Sequence, residues 1–205
     1  MNALELANQL KAKFSDLISD PVEFHGEVTL KILDAERIPQ VCAAAKKELG
    51  FDYLVDIASI DNYGEDPRFT VVYELYGYGH RCHLRLKTDV SEEKSELPTV
   101  TTVWHTADWH EREVYDMMGI RFRGHPDLRR ILMWEGYPYF PLRKDFPLSG
   151  KPTDLPEVAF TKSAPLEGGP FVTIAGGGDA VHREPRVRAP ESDNAPNESR
   201  IGKVV

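Results

Sequence analysis

Apolar side chains recur at three- and four-residue spacings over residues 2–18. Leu4, Leu6, Ala7, Leu10, Phe14, Leu17 and Ile18 then share one side of an amphipathic helix, which Pro21 closes off. From Val28 to Leu33 the period falls to two, with Thr29 and Lys31 turned outward, as in a half-buried strand. Asp34 is placed to cap a second helix, buried through Ile38, Val41, Cys42, Ala45 and Leu49 and ended by Gly50. Strand patterns follow. Residues 51–60 form one candidate despite Asp52 and Asp56, and residues 61–67 have the composition of a loop. Phe69–Tyr76 is β-branched and aromatic, and residues 81–87 return with Cys82, Leu84 and Leu86 on one face, which predicts an antiparallel hairpin. A charged loop or short helix over 89–96 leads to a last expected strand, Val100–Val103. The order of elements predicts an α+β fold: a compact two-layer domain with a mainly antiparallel or mixed sheet packed by helices. A long extended C-terminal tail is expected to follow it.

Residues 104–148 hold the densest mixture of charges and aromatics. Thr106 is the expected N-cap of a helix running to Met118, with Asp108 in its first turn and Gly119 at its end. At 100° per residue, Ala107, Val114, Met117 and Met118 form an apolar arc, and Glu111 falls inside it. Asp108, Arg112 and Asp116 fall on the far side, where i,i+4 surface pairing is expected. A carboxylate on a core-facing arc must be paired or neutral. Arg129, Arg130 and Arg143 are the cations just downstream, so a glutamate–arginine lock is expected. The chemical alternative makes Glu111 a general acid, working with His110 or His125. Beyond the helix, residues 124–132 alternate rigid turn residues with arginines. Trp134, Tyr137, Tyr139 and Phe140 then cluster around Pro138 and Pro141, a composition typical of protein interface cores.

Composition narrows the function. With 41% apolar and 28% charged residues in 205, the chain can bury one sizeable core. A formal charge of -8 with no basic cluster argues against a nucleic-acid surface. No apolar run approaches the roughly 20 residues that cross a bilayer, and no signal-peptide pattern opens the chain. Cys42 and Cys82 lie in unrelated contexts, one in helix core and one in a strand, which suits a reducing compartment. His110-Glu111-Arg112 begins like a zinc-protease helix, but the position of the second histidine is Val114. Neither cysteine has a ligand-spaced partner, and Gly176–Gly178 precedes an aspartate rather than Lys-Ser/Thr. Neither a metal, a cluster nor a nucleotide site is therefore expected in this chain. Past Leu148, prolines recur every few residues and apolar periodicity is lost. Phe160, Phe171, Val172 and Ile174 make residues 151–174 read as a tail laid along a partner, and the remainder reads as disordered.

The run Trp104, Thr106–Trp109, Glu111–Glu113, Asp116, Gly119-Ile120, Phe122, Gly124–Leu132, Gly136-Tyr137 and Pro141–Leu148 resembles the signature of one family. That family is the 30 kDa subunit of respiratory complex I, the C subunit of the bacterial proton-translocating NADH:quinone oxidoreductase. The resemblance extends from about residue 5 to 150. It implies an α/β domain over 1–123, a docking segment over 124–150 and an extended tail over 151–205. It further implies a subunit without a catalytic site or cofactor of its own. FMN, Fe-S clusters and quinone would belong to the assembled complex. The implied partners are the large D-type (49 kDa) subunit and other peripheral-arm subunits, at the cytoplasmic face of the bacterial inner membrane. Glu111, Arg112, Glu113, His125, Asp127, Arg129, Arg130, Trp134, Tyr137, Arg143, Lys144 and Asp145 would be structural or interface residues. Two alternatives stay open: a homologous subunit of a membrane-bound hydrogenase-type complex, and a free-standing acid–base enzyme using Glu111.

Overall fold

The computed structural model describes residues 2–147, so the expected tail over 151–205 lies outside the described residues. The described residues fall into two units. One runs to Met133 and takes in Leu142–Lys144, and the other holds Trp134–Pro141 and continues from Asp145.

The first unit is an α+β fold. Helix α1 (Ala3–Lys13) starts at a capping box, in which the Asn2 side chain accepts from Glu5 N–H and the Glu5 carboxylate accepts from Asn2 N–H. It ends five residues before the expected limit. Leu17 and Ile18 belong to the turn that follows Phe14, and Ile18 bridges to Ile32, so their spacing continued the helical period without continuing the helix. A strand that the pattern did not predict comes next: β1 (Val22–Phe24), exposed at every residue and so without alternation. It pairs antiparallel with β2 (Glu27–Ile32) across His25-Gly26, both at positive φ. Asp34 caps only a short 3-10 turn, Ala35–Arg37. The helix α2 (Ile38–Lys47) then begins with Pro39 in its first turn, where the missing N–H costs nothing.

Strands β3 (Tyr53–Asp61), β4 (Phe69–Gly77) and β5 (Cys82–Val90) complete a five-stranded sheet in the order β1-β2-β5-β4-β3. The expected β4–β5 hairpin is present, with Tyr73 opposite Leu86. The β2–β5 pairing is parallel, which makes the sheet mixed. Alternation decides the layers. Phe69, Val71, Tyr73 and Leu75 of β4, Leu84 and Leu86 of β5, and Val28, Leu30 and Ile32 of β2 are buried on one face. There α1 packs on β2 and β5, and helix α3 (Ala107–Met118) packs on β3. The other face carries the ion-paired run Glu74–Arg85–Glu27, with N···O distances of 2.8 and 2.7 Å.

Val100–Val103 is not a strand. Val103 and Trp104 N–H groups both donate to Val100 O in a tight turn. The extended piece is β6 (Glu96–Pro98), paired parallel with β7 (Arg121–Arg123). At Gly77 two backbones approach closely: a Cβ there would sit 2.9 Å from Gly50 O, against main chain rather than a movable side chain. Gly77→Ala is expected to cost about 1–3 kcal/mol, the range for overpacking, read as a lower urea midpoint at unchanged m-value.

Candidate functional site

Two carboxylates on α3 organise the region that the pattern singled out. Thr106 occupies the N-cap position but is itself helical and makes no side-chain cap bond. Gly119 at φ +77° ends the helix in the left-handed conformation that glycine adopts without strain. Glu111 is fully buried, as its place on the apolar arc required, but among the described residues its hydrogen bonds come from Thr99 and Val100 rather than from an arginine. Its Oε1 accepts from Val100 N–H (2.7 Å) and its Oε2 from Thr99 Oγ1 (2.6 Å). The turn over 99–103 is therefore shaped to present donors to the helix, which explains why Val100–Val103 is not extended. Burial pushes the Glu111 carboxyl up to about 7, against the lowering effect of the Thr99 and Val100 hydrogen bonds and with a further push from the charge of Asp108.

His125 lies beside it with its side chain wholly buried and Nε2 3.9 Å from Glu111 Oε2. Asp127 N–H donates to His125 Nδ1 (3.0 Å), so the ring proton sits on Nε2, which lies 3.2 Å from Asp108 O and 3.1 Å from Asp108 Oδ1. Glu111 and His125 resemble an acid–base pair in composition. Neither side chain exposes surface to a substrate, and their bonds tie α3 to the segments on either side of it.

The arginine lock exists on the other carboxylate. Asp116, expected on a solvated face, is fully buried: Arg130 Nη1 donates to its Oδ1 (2.5 Å). The backbone N–H groups of Ile131, Leu132 and Met133 all donate to its Oδ2, at 3.0, 2.7 and 2.8 Å. Arg112 is also mostly buried rather than at the surface. It lies over the Trp109 ring and donates to the carbonyls of Arg129 (3.1 Å) and Arg130 (3.2 Å). Residues 129–133 thus cover the helix face that was expected to meet water. Helical periodicity located both buried carboxylates on opposite arcs, but only the path of the following segment decides which arc is covered.

Arg143 donates through Nε to Met118 O (2.6 Å) and lies over the Phe69 ring. Lys144 contributes its backbone N–H, which donates to Asp61 Oδ2 (2.8 Å). Composition assigns Asp61 to a loop, yet it ends β3, is buried, and takes both forks of Arg68 at 2.9 Å. The bidentate pair holds its carboxyl below the usual range. Its signal in the sequence is only an aspartate and an arginine flanking one loop. Glu113, Asp127, Arg129 and Asp145 are exposed, and Arg129 Nε lies 2.8 Å from Asp127 Oδ2. In the second unit, ring contacts run from Trp134 to Tyr137 (4.6 Å), Tyr137 to Tyr139 (5.6 Å) and Tyr139 to Phe146 (5.9 Å). No helix among the described residues is long and apolar enough to cross a membrane.

A family model described as "Respiratory-chain NADH dehydrogenase, 30 Kd subunit" matches residues 32–152. A C subunit of the NADH-quinone oxidoreductase of Rhizobium etli is 49% identical over 140 residues, covering 67% of this chain and 74% of that one. The corresponding C subunit of Geotalea uraniireducens is 46% identical over 142 residues, covering 69% and 86%. Among solved structures, a trypsin-resistant fragment of Nqo5 is 34% identical, with a TM-score of 0.52 over 60% of this chain and 97% of the fragment. A chain of an archaeal membrane-bound sulfane sulfur reductase is 22% identical, with a TM-score of 0.62 over 70% and 85%, a likeness of fold.

Proposed function

The chain belongs to the family of the 30 kDa subunit of respiratory-chain NADH dehydrogenase, and from this premise we propose that it is a scaffold and assembly subunit without a cofactor of its own. Its place is the peripheral arm of a proton-translocating NADH:quinone oxidoreductase, on the cytoplasmic face of the inner membrane. There FMN and Fe-S clusters in other subunits carry electrons from NADH to quinone. Its main partner is the large D-type (49 kDa) subunit, met through the docking segment 124–150 and the tail beyond. The observation that carries this reading is the division of labour in residues 108–147. Of the groups with acid–base chemistry, Glu111 and His125 are sealed and occupied in holding elements together, and the half-buried His110 faces Asp56 at 3.1 Å rather than Glu111. The exposed side chains of the same stretch include Trp109, Arg129, Leu132 and Leu142, types suited to a protein interface, among exposed acids such as Glu113 and Asp127.

The test uses the tagged full-length chain, recovered from native membranes in gentle detergent. The large subunit, iron, flavin and NADH:quinone activity are expected to come with it. Recovery of the chain alone would overturn the reading, and recovery with a hydrogenase-type large subunit would move it to that related complex. Arg129→Ala, an exposed position, is expected to lower the amount of assembled complex about fivefold to tenfold, in line with loss of an interface arginine. Turnover per assembled complex should stay unchanged. Full assembly with lost turnover would contradict the structural role.

A further inference from the structure

Asp61 and Asp116 stand at the two ends of a single excursion of the chain. Asp116 gathers the N–H groups of Ile131–Met133, immediately before Trp134, and Asp61 takes the N–H of Lys144, shortly after Pro141. The return of the chain is fixed at three successive residues. Leu142 N–H donates to Met117 O (3.2 Å), Arg143 to Met118 O, and Lys144 N–H to Asp61. Met117 and Met118 are the last two residues of α3, whose carbonyls have no partner inside the helix. A guanidinium there also meets the negative end of the helix dipole.

Asp61 has one more donor than a simple ion pair would need. Arg68 already occupies both oxygens, at 2.9 Å each, and Oδ2 accepts the Lys144 N–H in addition. That third donor belongs to the main chain, so the carboxylate holds the path of the backbone rather than the lysine side chain. Leu132 and Leu142 stand at the feet of the excursion with more than half of each side chain exposed. Between them in the chain, the rings of Trp134, Tyr137 and Tyr139 touch in series.

We propose that Asp61 is a positioning residue for partner binding: by pinning the main chain at Lys144 it closes the Trp134–Pro141 loop in the free subunit. The segment then meets the large subunit with both of its ends already held. This rests on the scaffold reading above and adds to it the residue that fixes the docking element without touching the partner. Ordering such a loop during association would otherwise lower affinity.

Two readouts on the full-length chain test it. Hydrogen exchange of the free chain needs no partner: the amides of Leu142 and Lys144 are expected to exchange as slowly as those of α3. In Asp61→Asn they should exchange about tenfold faster or more, while Ile131–Met133, held by Asp116, stay slow. Retention of the large subunit should fall about tenfold in the same variant through lost preorganisation. Val28→Ala, a core truncation on β2 rather than on β3 where Asp61 lies, is the control for destabilisation as such and should retain the large subunit at the original level. If Asp61→Asn does not fold, Lys144→Pro removes the donated N–H, while also fixing φ there and restricting Arg143, and leaves the Asp61–Arg68 pair intact. It should release Leu142 and weaken retention in the same way.

Fast exchange at Leu142 and Lys144 in the unaltered chain would overturn the closed loop. Released amides with unchanged retention would overturn the positioning role and leave the scaffold reading standing. An equal loss of retention in Val28→Ala would reduce Asp61 to ordinary stability. An unaltered chain that retains no large subunit would sink the scaffold reading and the positioning role together, whatever the exchange shows.

Discussion

Asp116→Ala is expected to lose about 3–5 kcal/mol of folding stability, the range for breaking a buried ion pair from one side. The reason lies in what the carboxylate leaves behind. Arg130 would keep its charge beside a fully buried position, and three consecutive N–H groups, those of Ile131, Leu132 and Met133, would lose their common acceptor. A buried donor left without a partner costs about 1–3 kcal/mol, a cost that falls on Met133 N–H in full and on the part-buried N–H groups of Ile131 and Leu132 in part. The measurement is a urea titration read by far-UV circular dichroism, with thermal unfolding as a second probe. Against a total stability of roughly 5–15 kcal/mol, the loss should bring the midpoint down by about a fifth or more. Asp116→Asn keeps one carbonyl oxygen to accept from the backbone but gives up the ion pair, and it should fall between the two. A change under about 1 kcal/mol in the alanine variant would show that Asp116 is only a surface residue.

That assignment also measures how far the chain could be read unaided. Local patterns carried the sheet: the Phe69–Tyr76 alternation and its return through Cys82–Leu86 identified a hairpin that the structure contains. The α3 helix was equally legible, including its end at Gly119 and the burial of Glu111. Elements defined by tertiary contact escaped. Val22–Phe24 is extended only because β2 pairs with it, and no alternation marks an edge strand exposed on both faces. Val100–Val103 has strand composition, yet its backbone curls to offer Val100 N–H to Glu111, a need that exists only once α3 is in place. The expected lock between Glu111 and an arginine does not form; Arg130, one of the arginines named for it, holds Asp116 instead. A helical wheel shows where a carboxylate points and does not show that residues 129–133 will cover the opposite face. Asp61 is the extreme case, since its third donor lies 83 positions along the chain.

Glu111 carries the second large effect, and its sign follows from the direction of its shift. Desolvation raises the folded carboxyl from 4.5 to about 7, so between those values the folded chain binds a proton that the unfolded chain has released. More protons on the folded state mean that stability falls as pH rises. The contribution is intact below about pH 4.5, declines through the window and levels off above about 7. A shift of that size corresponds to about 3 kcal/mol across the window. Other groups titrate over the same range, so the informative quantity is a difference. Glu111→Gln keeps an acceptor for Val100 N–H and an amide that can donate to Thr99 Oγ1, and it cannot ionise beside Asp108 and His125. The stability of this variant relative to the unaltered chain should therefore rise between pH 5 and 8 by about 3 kcal/mol, with the variant the more stable at the alkaline end. Parallel pH profiles would show that Glu111 is ionised in the folded chain at its ordinary pH. The Thr99 and Val100 hydrogen bonds would then outweigh the loss of water, and the turn over 99–103 would be holding a carboxylate rather than a carboxylic acid.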